Sequence, residues 1–132
     1  MGYYAHSYES DFLIMKKNFI SLKAAIGETF SYNGNWWDKL SIKDVLSECG
    51  FCCEFNHEGD VESFWYEEQK FYSSDIKTLF DTIAPFVVEG SHISFIGEDD
   101  CLWAYYFDGA TCKEYDAVVV YPGMPTGGPK KL

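Results

Sequence analysis

The chain has 132 residues, 47% hydrophobic and 19% aromatic, so it is long and apolar enough to fold around one core and is not intrinsically disordered. Its formal net charge is −11, and all ten basic residues are lysine. A chain without arginine lacks the planar donor group that reads phosphate and guanine, so direct nucleic-acid binding is not expected. No stretch approaches the ~18 apolar residues of a membrane span, so no membrane insertion is expected.

The first third of the chain predicts two short strands and a helix. Apolar runs predict strands at residues 2–8 and 12–15, and a helix follows from Lys16 onward. The apolar residues of that helix recur at helical spacing: Phe19, Leu22, Ile26 and Phe30.

A loop and a second, shorter helix follow. Asn33-Gly34-Asn35 predicts a turn, and the pair Trp36-Trp37 is interpreted as a lid over the core rather than as a ligand platform. Ser41 is predicted to cap the second helix, with Asp44 at the third helical position, as in a capping box. Gly50 is placed to end it.

The rest of the chain predicts a hairpin, a third helix and a three-stranded meander. The hairpin pairs residues 51–56 with 61–66, and Ser74 or Asp75 is expected to cap the helix, which Pro85 closes. The meander is predicted at residues 91–97, 101–107 and 112–121, where β-branched and aromatic runs alternate with Asp/Gly turns.

These elements predict an α+β fold of the order ββ-α-α-ββ-α-βββ, in which helices cover one face of an antiparallel sheet. Residues 1–121 are predicted to form a single domain. Residues 122–132 are rich in Pro and Gly and are predicted to be a flexible tail.

The cysteines raise the question of a metal site. Zinc needs four converging ligands, and the C-x-x-C pair of Cys49 and Cys52 would supply two of them from one turn, with Cys53 and His57 close by in sequence. A structural interpretation is favoured, because Cys49 falls on the apolar face of the second helix, and Cys52 and Cys53 point to opposite sides of a strand. No metal and no cofactor are therefore predicted. Five cysteines without a recognisable secretion signal predict a reduced, cytoplasmic protein.

No catalytic residue is predicted either. The three histidines, His6, His57 and His92, have no nearby serine or cysteine in a recognised nucleophile pattern. Each is interpreted as a structural or solvated side chain, so the protein is predicted not to be an enzyme.

Acidic residues are concentrated towards the C-terminus: residues 44–116 hold 17 of the 21 acidic residues and three lysines. The turn Glu98-Asp99-Asp100 has three interpretations: a solvated hairpin turn, a partner-facing acidic knob flanked by Trp103, Tyr105 and Phe107, or a hard-cation site. The cation site is least favoured, because the carboxylates lack the alternate spacing of a calcium loop.

The earlier hairpin carries a second group of carboxylates. If both hairpins belonged to one sheet, their turns would form one continuous acidic surface. The predicted partner-binding residues are Glu58, Asp60, Glu62, Glu98, Asp99, Asp100, Trp103, Tyr105 and Asp108. A surface of that charge attracts a basic protein partner and speeds association with it.

Two segments carry a family resemblance. The start of the chain, Met1-Gly2-Tyr3 with Ser10-Asp11-Phe12-x-Ile14 and Lys16-Lys17, forms one part. The other is Leu79-Phe80-x-x-Ile83-Ala84-Pro85 with Glu89-Gly90-Ser91-x-Ile93-x-Phe95-x-Gly97-Glu98-Asp99. Together they resemble small acidic proteins of phages, prophages and other mobile elements of low-GC bacteria. The resemblance implies origin and fold, and it transfers no catalytic motif.

Three functions follow as hypotheses, and a structural or regulatory interaction protein is the remaining class. The leading one is a non-enzymatic inhibitor of a bacterial defence system, of the anti-CRISPR or anti-restriction type, which binds a basic nucleic-acid-binding surface as a nucleic-acid mimic. The second is an immunity protein that neutralises a cognate bacterial toxin. The third is a small enzyme or metal-binding protein, which a bound metal ion or a cleft joining a histidine to a cysteine or an aspartate would reveal.

Overall fold

The computed structural model describes residues 3–67 and 69–117 of the chain. The strands in this part are β1 (Tyr4–Asp11), β2 (Phe51–Phe55), β3 (Val61–Tyr66), β4 (Gln69–Lys70), β5 (His92–Gly97), β6 (Leu102–Phe107) and β7 (Cys112–Asp116). The helices are α1 (Phe19–Phe30), α2 (Asn35–Asp38), α3 (Ile42–Glu48) and α4 (Ser73–Ile83), with 3₁₀ turns at Lys16–Asn18 and Ala84–Phe86. The predicted α+β class and the order of the main elements are confirmed. The short elements α2 and β4 were not predicted.

The strands form two antiparallel sheets. One has five strands in the order β4-β1-β5-β6-β7, and the other is the β2-β3 hairpin. β1 pairs with β5 from Ala5 opposite Gly97 to Asp11 opposite His92, and its register shifts at Tyr8, as at a β-bulge. The segment predicted as two strands is thus one strand, and Ile14 beyond it forms only isolated bridges.

Two serine hydroxyls of β1 join the two sheets. The Ser7 hydroxyl accepts a hydrogen bond from the backbone N–H of Tyr66 at 2.9 Å and donates to the carbonyl of the same residue at 3.2 Å. The Ser10 hydroxyl donates to the carbonyl of Phe64 at 2.6 Å. These hydrogen bonds tie β1 of the five-stranded sheet to the backbone of β3 in the hairpin.

The helices cover one face of the five-stranded sheet, as predicted. The ring of Phe80 on α4 lies 4.8 Å from that of Tyr105, 5.5 Å from that of Phe107 and 6.4 Å from that of Phe95. All four side chains are buried. Because successive residues of a strand point to opposite sides, this contact identifies the core-facing residues of β5 and β6.

Three local predictions concern the cap of α3, the Trp36-Trp37 lid and the start of α4. The Ser41 hydroxyl accepts the N–H of Asp44 at 3.3 Å, so the predicted cap of α3 is confirmed. The Trp lid is confirmed for Trp37, which is buried, whereas Trp36 is half exposed. α4 begins two or three residues earlier than predicted, with Tyr72 rather than Ser74 or Asp75 in the cap position.

The predicted tail at 122–132, and the end of the last predicted strand at 118–121, lie outside the described residues. No helix in the described part of the chain is long and apolar enough to cross a membrane.

Candidate functional site: an acidic turn and an exposed sheet face

The turn between β5 and β6 holds three exposed carboxylates in a defined geometry. The Asp99 carboxylate accepts hydrogen bonds from the Tyr3 hydroxyl and, at 3.2 Å, from the backbone N–H of Cys101. The Glu98 carboxylate accepts the N–H of Tyr4 at 2.9 Å, and the Glu98 N–H donates to the carbonyl of Tyr4 at 2.9 Å. Asp100 has a φ of 65°, a left-handed conformation that aspartate tolerates. The start of β1 therefore anchors this turn.

Hydrogen bonding favours the charged form of Asp99. The Tyr3 hydroxyl is the main cause that lowers the pKa of Asp99, and the N–H of Cys101 adds to it. The pKa of Tyr3 is raised, first by burial of its hydroxyl and then by the bond to Asp99. Asp99 thus presents a fixed negative charge at neutral pH.

The hairpin carboxylates behave differently from one another. Asp60 is buried, and it accepts the backbone N–H of Lys16 at 2.7 Å while Asn56 donates to it at 3.5 Å. Asp60 therefore holds the chain at the end of β1 and does not lie on a binding surface, which corrects its prediction as a partner-binding residue. Glu58 and Glu62 are exposed.

Asp108 is exposed but closes its own turn. Its carboxylate accepts the N–H groups of Thr111 at 2.7 Å and Ala110 at 2.9 Å, together with the Thr111 hydroxyl at 2.9 Å. These bonds lower the pKa of Asp108 to about 2, with the Thr111 N–H as the largest cause. Asp108 therefore acts first as an Asx-turn residue.

The predicted carboxylates do not form one continuous surface. The acidic turn contacts Tyr4 at the first residue of β1, whereas Asp60 contacts Lys16 beyond its last residue. An eight-residue strand spans about 25 Å at ~3.3 Å per residue, so the two groups lie at opposite ends of the sheet. The hairpins also belong to different sheets, so the condition for one continuous acidic surface is not met.

The aromatic residues predicted beside the acidic turn face the core. Tyr105 is only 3% exposed, and Phe107 is fully buried. Trp103 is partly buried, with its ring 5.1 Å from that of Phe71 and 5.7 Å from that of Phe95. The prediction of Tyr105 as a partner-binding residue is therefore corrected, and Trp103 belongs mainly to the edge of the core.

The exposed aromatics of β6 and β7 are Tyr106 and Tyr115, which the sequence analysis did not select. Their side chains are 42% and 43% exposed, and they lie on the sheet face opposite the helices. Alternation along β6 would have identified Tyr106, had it been known which residues of the strand face the helices.

The cysteines lie at the end of α3, on β2, between β5 and β6, and at the start of β7. Burial raises the pKa values of Cys49 and Cys112 to about 12. The Cys52 thiol lies 3.7 Å from the Glu67 carboxylate, and Cys53 is buried. Among the described residues, no group of three or more His, Cys, Asp or Glu side chains is placed to hold a metal ion.

An open cleft of about 640 Å³ lies between α1 and α2. Its apolar wall includes Gly27, where an added Cβ would lie 2.8 Å from Nε1 of Trp37. The one lysine in the cleft, Lys23, donates to the carbonyls of Asp38 at 3.0 Å and Leu40 at 2.8 Å. This ammonium group therefore caps backbone carbonyls and is not directed at a ligand.

No family model, curated protein or solved structure matches this chain.

Proposed function

We propose that this protein is a non-enzymatic inhibitor, encoded by a phage or another mobile element, that acts on a bacterial defence protein. It binds the basic surface with which a CRISPR effector or restriction enzyme holds nucleic acid. The observation that carries the proposal is the acidic turn, residues 98–100, in which Tyr3 and backbone N–H groups hold the exposed carboxylates of Glu98 and Asp99.

The chemistry of nucleic-acid-binding surfaces supports this choice. Such surfaces present lysine and arginine to phosphate groups, and most of their affinity is electrostatic. A carboxylate accepts the same charge-assisted hydrogen bonds from lysine and arginine as a phosphate oxygen does. Carboxylates fixed on a rigid turn lose less conformational entropy on binding than carboxylates on a mobile segment.

The net charge of −11 supports the same partner. A strongly acidic protein is attracted to a basic cleft over a distance of about one Debye length, roughly 8 Å at physiological salt. Binding is therefore expected to weaken as the salt concentration rises. The resemblance to acidic proteins of phages and mobile elements suggests a host defence protein as the target.

The experiment uses capture followed by competition. Tagged protein is passed through nuclease-treated bacterial lysate and washed with rising salt, and the retained proteins are identified by mass spectrometry. Each purified candidate is then tested for nucleic-acid binding with and without this protein. The expected result is that the protein displaces nucleic acid from its partner.

A matched pair of variants tests the acidic turn. E98Q/D99N/D100N removes three charges but keeps oxygen acceptors for Tyr3 and Cys101, so the turn retains its shape. The control is E28Q/E48Q/E54Q, which removes three charges from exposed positions on α1, α3 and β2. The turn variant is expected to lose displacement and the control to retain it. Partners that keep their nucleic acid in the presence of the unmodified protein would refute the proposal.

A further inference from the structure

The face of the five-stranded sheet opposite the helices carries exposed aromatic and acidic side chains. β5 contributes His92 and Ile96, β6 contributes Leu102 and Tyr106, and β7 contributes Tyr115, because their neighbours in sequence point to the core. Two carboxylates of β1, Glu9 and Asp11, pair with Ser94 and His92 on β5 and lie on the same face. We call this surface the open face.

Contacts between side chains give the open face a defined shape. The rings of His92 and Tyr106 stack at 5.2 Å with an angle of 16° between their planes. Nε2 of His92 lies 3.9 Å from a carboxylate oxygen of Glu9. Ser94 and Ala104, in the next row along the strands, are small and buried, so the larger side chains rise on either side of them. Tyr115 stands opposite Ala104 at the end of this row.

The exposure of the tyrosines is unusual for a solvated sheet face. A face that contacts only water normally carries polar side chains that alternate with the buried ones. Here Tyr106 and Tyr115 expose more than two fifths of their area, and Tyr4 on β1 exposes 41%. Tyrosine is enriched at protein interfaces, because it offers a large contact area with little conformational freedom to lose.

The open face and the acidic turn are continuous. β5 leads from Ile96 through Gly97 directly into Glu98, and Leu102 begins β6 on the other side of the same turn. The carboxylate of Glu98 is bonded to the backbone of Tyr4, which is itself exposed. A partner that contacts the acidic turn is therefore placed to contact the open face as well.

We infer that the open face docks an arginine-bearing segment of a basic protein; this rests on the proposed function, and names the surface and the chemistry of its partner. A guanidinium group stacks on a tyrosine ring and forms paired hydrogen bonds with a carboxylate. Tyr106 offers the ring and Glu9 offers the carboxylate, and the two residues lie on opposite sides of His92. The open face also carries one lysine of β7, Lys113, which pairs with Tyr106.

Charge argues against a second copy of the chain as the occupant. Two open faces brought together would join molecules that each carry −11, and each face would add the carboxylates of Glu9 and Asp11 to the interface. Like charges at an interface oppose association. A basic segment instead brings the opposite charge to the same carboxylates.

The test titrates the full-length, ¹⁵N-labelled protein with an oligoarginine peptide and compares it with an oligolysine peptide of the same length. Backbone amide shifts are expected to change most at His92, Ser94, Ala104, Tyr106 and Tyr115. Tyr106→Thr and Tyr115→Thr keep a strand-forming residue, and each is expected to weaken oligoarginine binding about threefold to fivefold. Oligolysine is expected to bind more weakly.

Tyr72→Thr is the matched control, because Tyr72 is exposed but caps α4 away from the open face. Equal losses in all three variants, absence of any shift on the open face, or shifts confined to residues 98–100 or to the cleft beside α1 would overturn the inference. So would a dimer detected by sedimentation that Tyr106→Thr dissociates. Shifts confined to residues 98–100 would leave the proposed function intact, whereas failure to displace nucleic acid would refute that function even if oligoarginine binds the open face.

Discussion

The hydroxyl of Tyr3 donates a hydrogen bond to the carboxylate of Asp99, across 96 positions of sequence. The bond joins the residue that precedes β1 to the turn between β5 and β6. It crosses directly over Gly97, where a side chain would occupy the space of the Tyr3 hydroxyl. The geometry of the acidic turn therefore depends on a residue at the other end of the chain.

Tyr3→Phe is expected to raise the pKa of Asp99 towards its ordinary value, because the Tyr3 hydroxyl is the largest cause that lowers it. Asp99 has a lowered pKa in the folded state, so its contribution to stability is present above the unfolded pKa and is lost as pH falls through the folded pKa. The variant should therefore lose less stability on acidification than the unmodified protein. Carbon-13 NMR of the Asp99 carboxyl and thermal melts between neutral and acidic pH measure both effects. Tyr72→Phe is the control, and an unchanged Asp99 pKa in Tyr3→Phe would contradict the prediction.

Gly97→Ala is expected to destabilise the fold by about 1–3 kcal/mol, the usual cost of inserting a methyl group into a closely packed site. The added methyl group would displace the Tyr3 hydroxyl and approach Asp99 to 2.9 Å. In a Tyr3→Ala background that obstruction is gone, so the same substitution should cost little. A double-mutant cycle by urea unfolding measures the coupling. Equal costs in the two backgrounds would show that Tyr3 is not what makes glycine necessary.

Ser7→Ala is expected to cost about 1–3 kcal/mol of unfolding free energy, because it leaves the N–H and the carbonyl of buried Tyr66 without their partner. Hydrogen exchange at Tyr66 should also become faster. Ser21→Ala, at an exposed position on α1, is the matched control and should be nearly neutral. If the two variants proved equally stable, the hydroxyl would not be joining the sheets.

Cys101 is expected to be the first cysteine to react with a thiol reagent at mildly alkaline pH. It is exposed, whereas burial raises the pKa values of Cys49 and Cys112 to about 12 and keeps them protonated. Its own pKa is raised by a hydrogen bond to Asp99, so its rate should increase as pH rises. Cys101→Ser should remove the fast phase measured with Ellman's reagent. A fast phase that survives this substitution would assign it to another thiol.

The aromatic residues of β6 show where prediction from sequence ends. Both alternating sets of this strand are largely apolar, with Leu102, Ala104 and Tyr106 in one and Trp103, Tyr105 and Phe107 in the other. Period-two alternation separates the sets but does not say which one faces the core. Phe80 of α4 decides it, because its ring packs against Tyr105 and Phe107.

The carboxylates also show that the sequence alone does not predict which charged side chains are exposed. Composition predicts an acidic surface, and the three residues of the turn at 98–100 are exposed as expected for charged side chains in a hairpin turn. Asp60 follows the same pattern in sequence but is buried, because the backbone N–H of Lys16 needs an acceptor there. A contact between residues so far apart in the chain leaves no local signal.

The sequence by itself determined the class of the fold and the order of its main elements, because apolar periodicity, the Ser41 cap and the Asp/Gly turns act over a few neighbouring residues. Only the tertiary structure decided which face of the sheet the helices cover, that β2 and β3 form a sheet of their own, and that Tyr3 holds Asp99. These outcomes depend on contacts between segments that are distant in sequence. Where both alternating sets of a strand are apolar, as in β6, hydrophobicity alone does not say which set is buried.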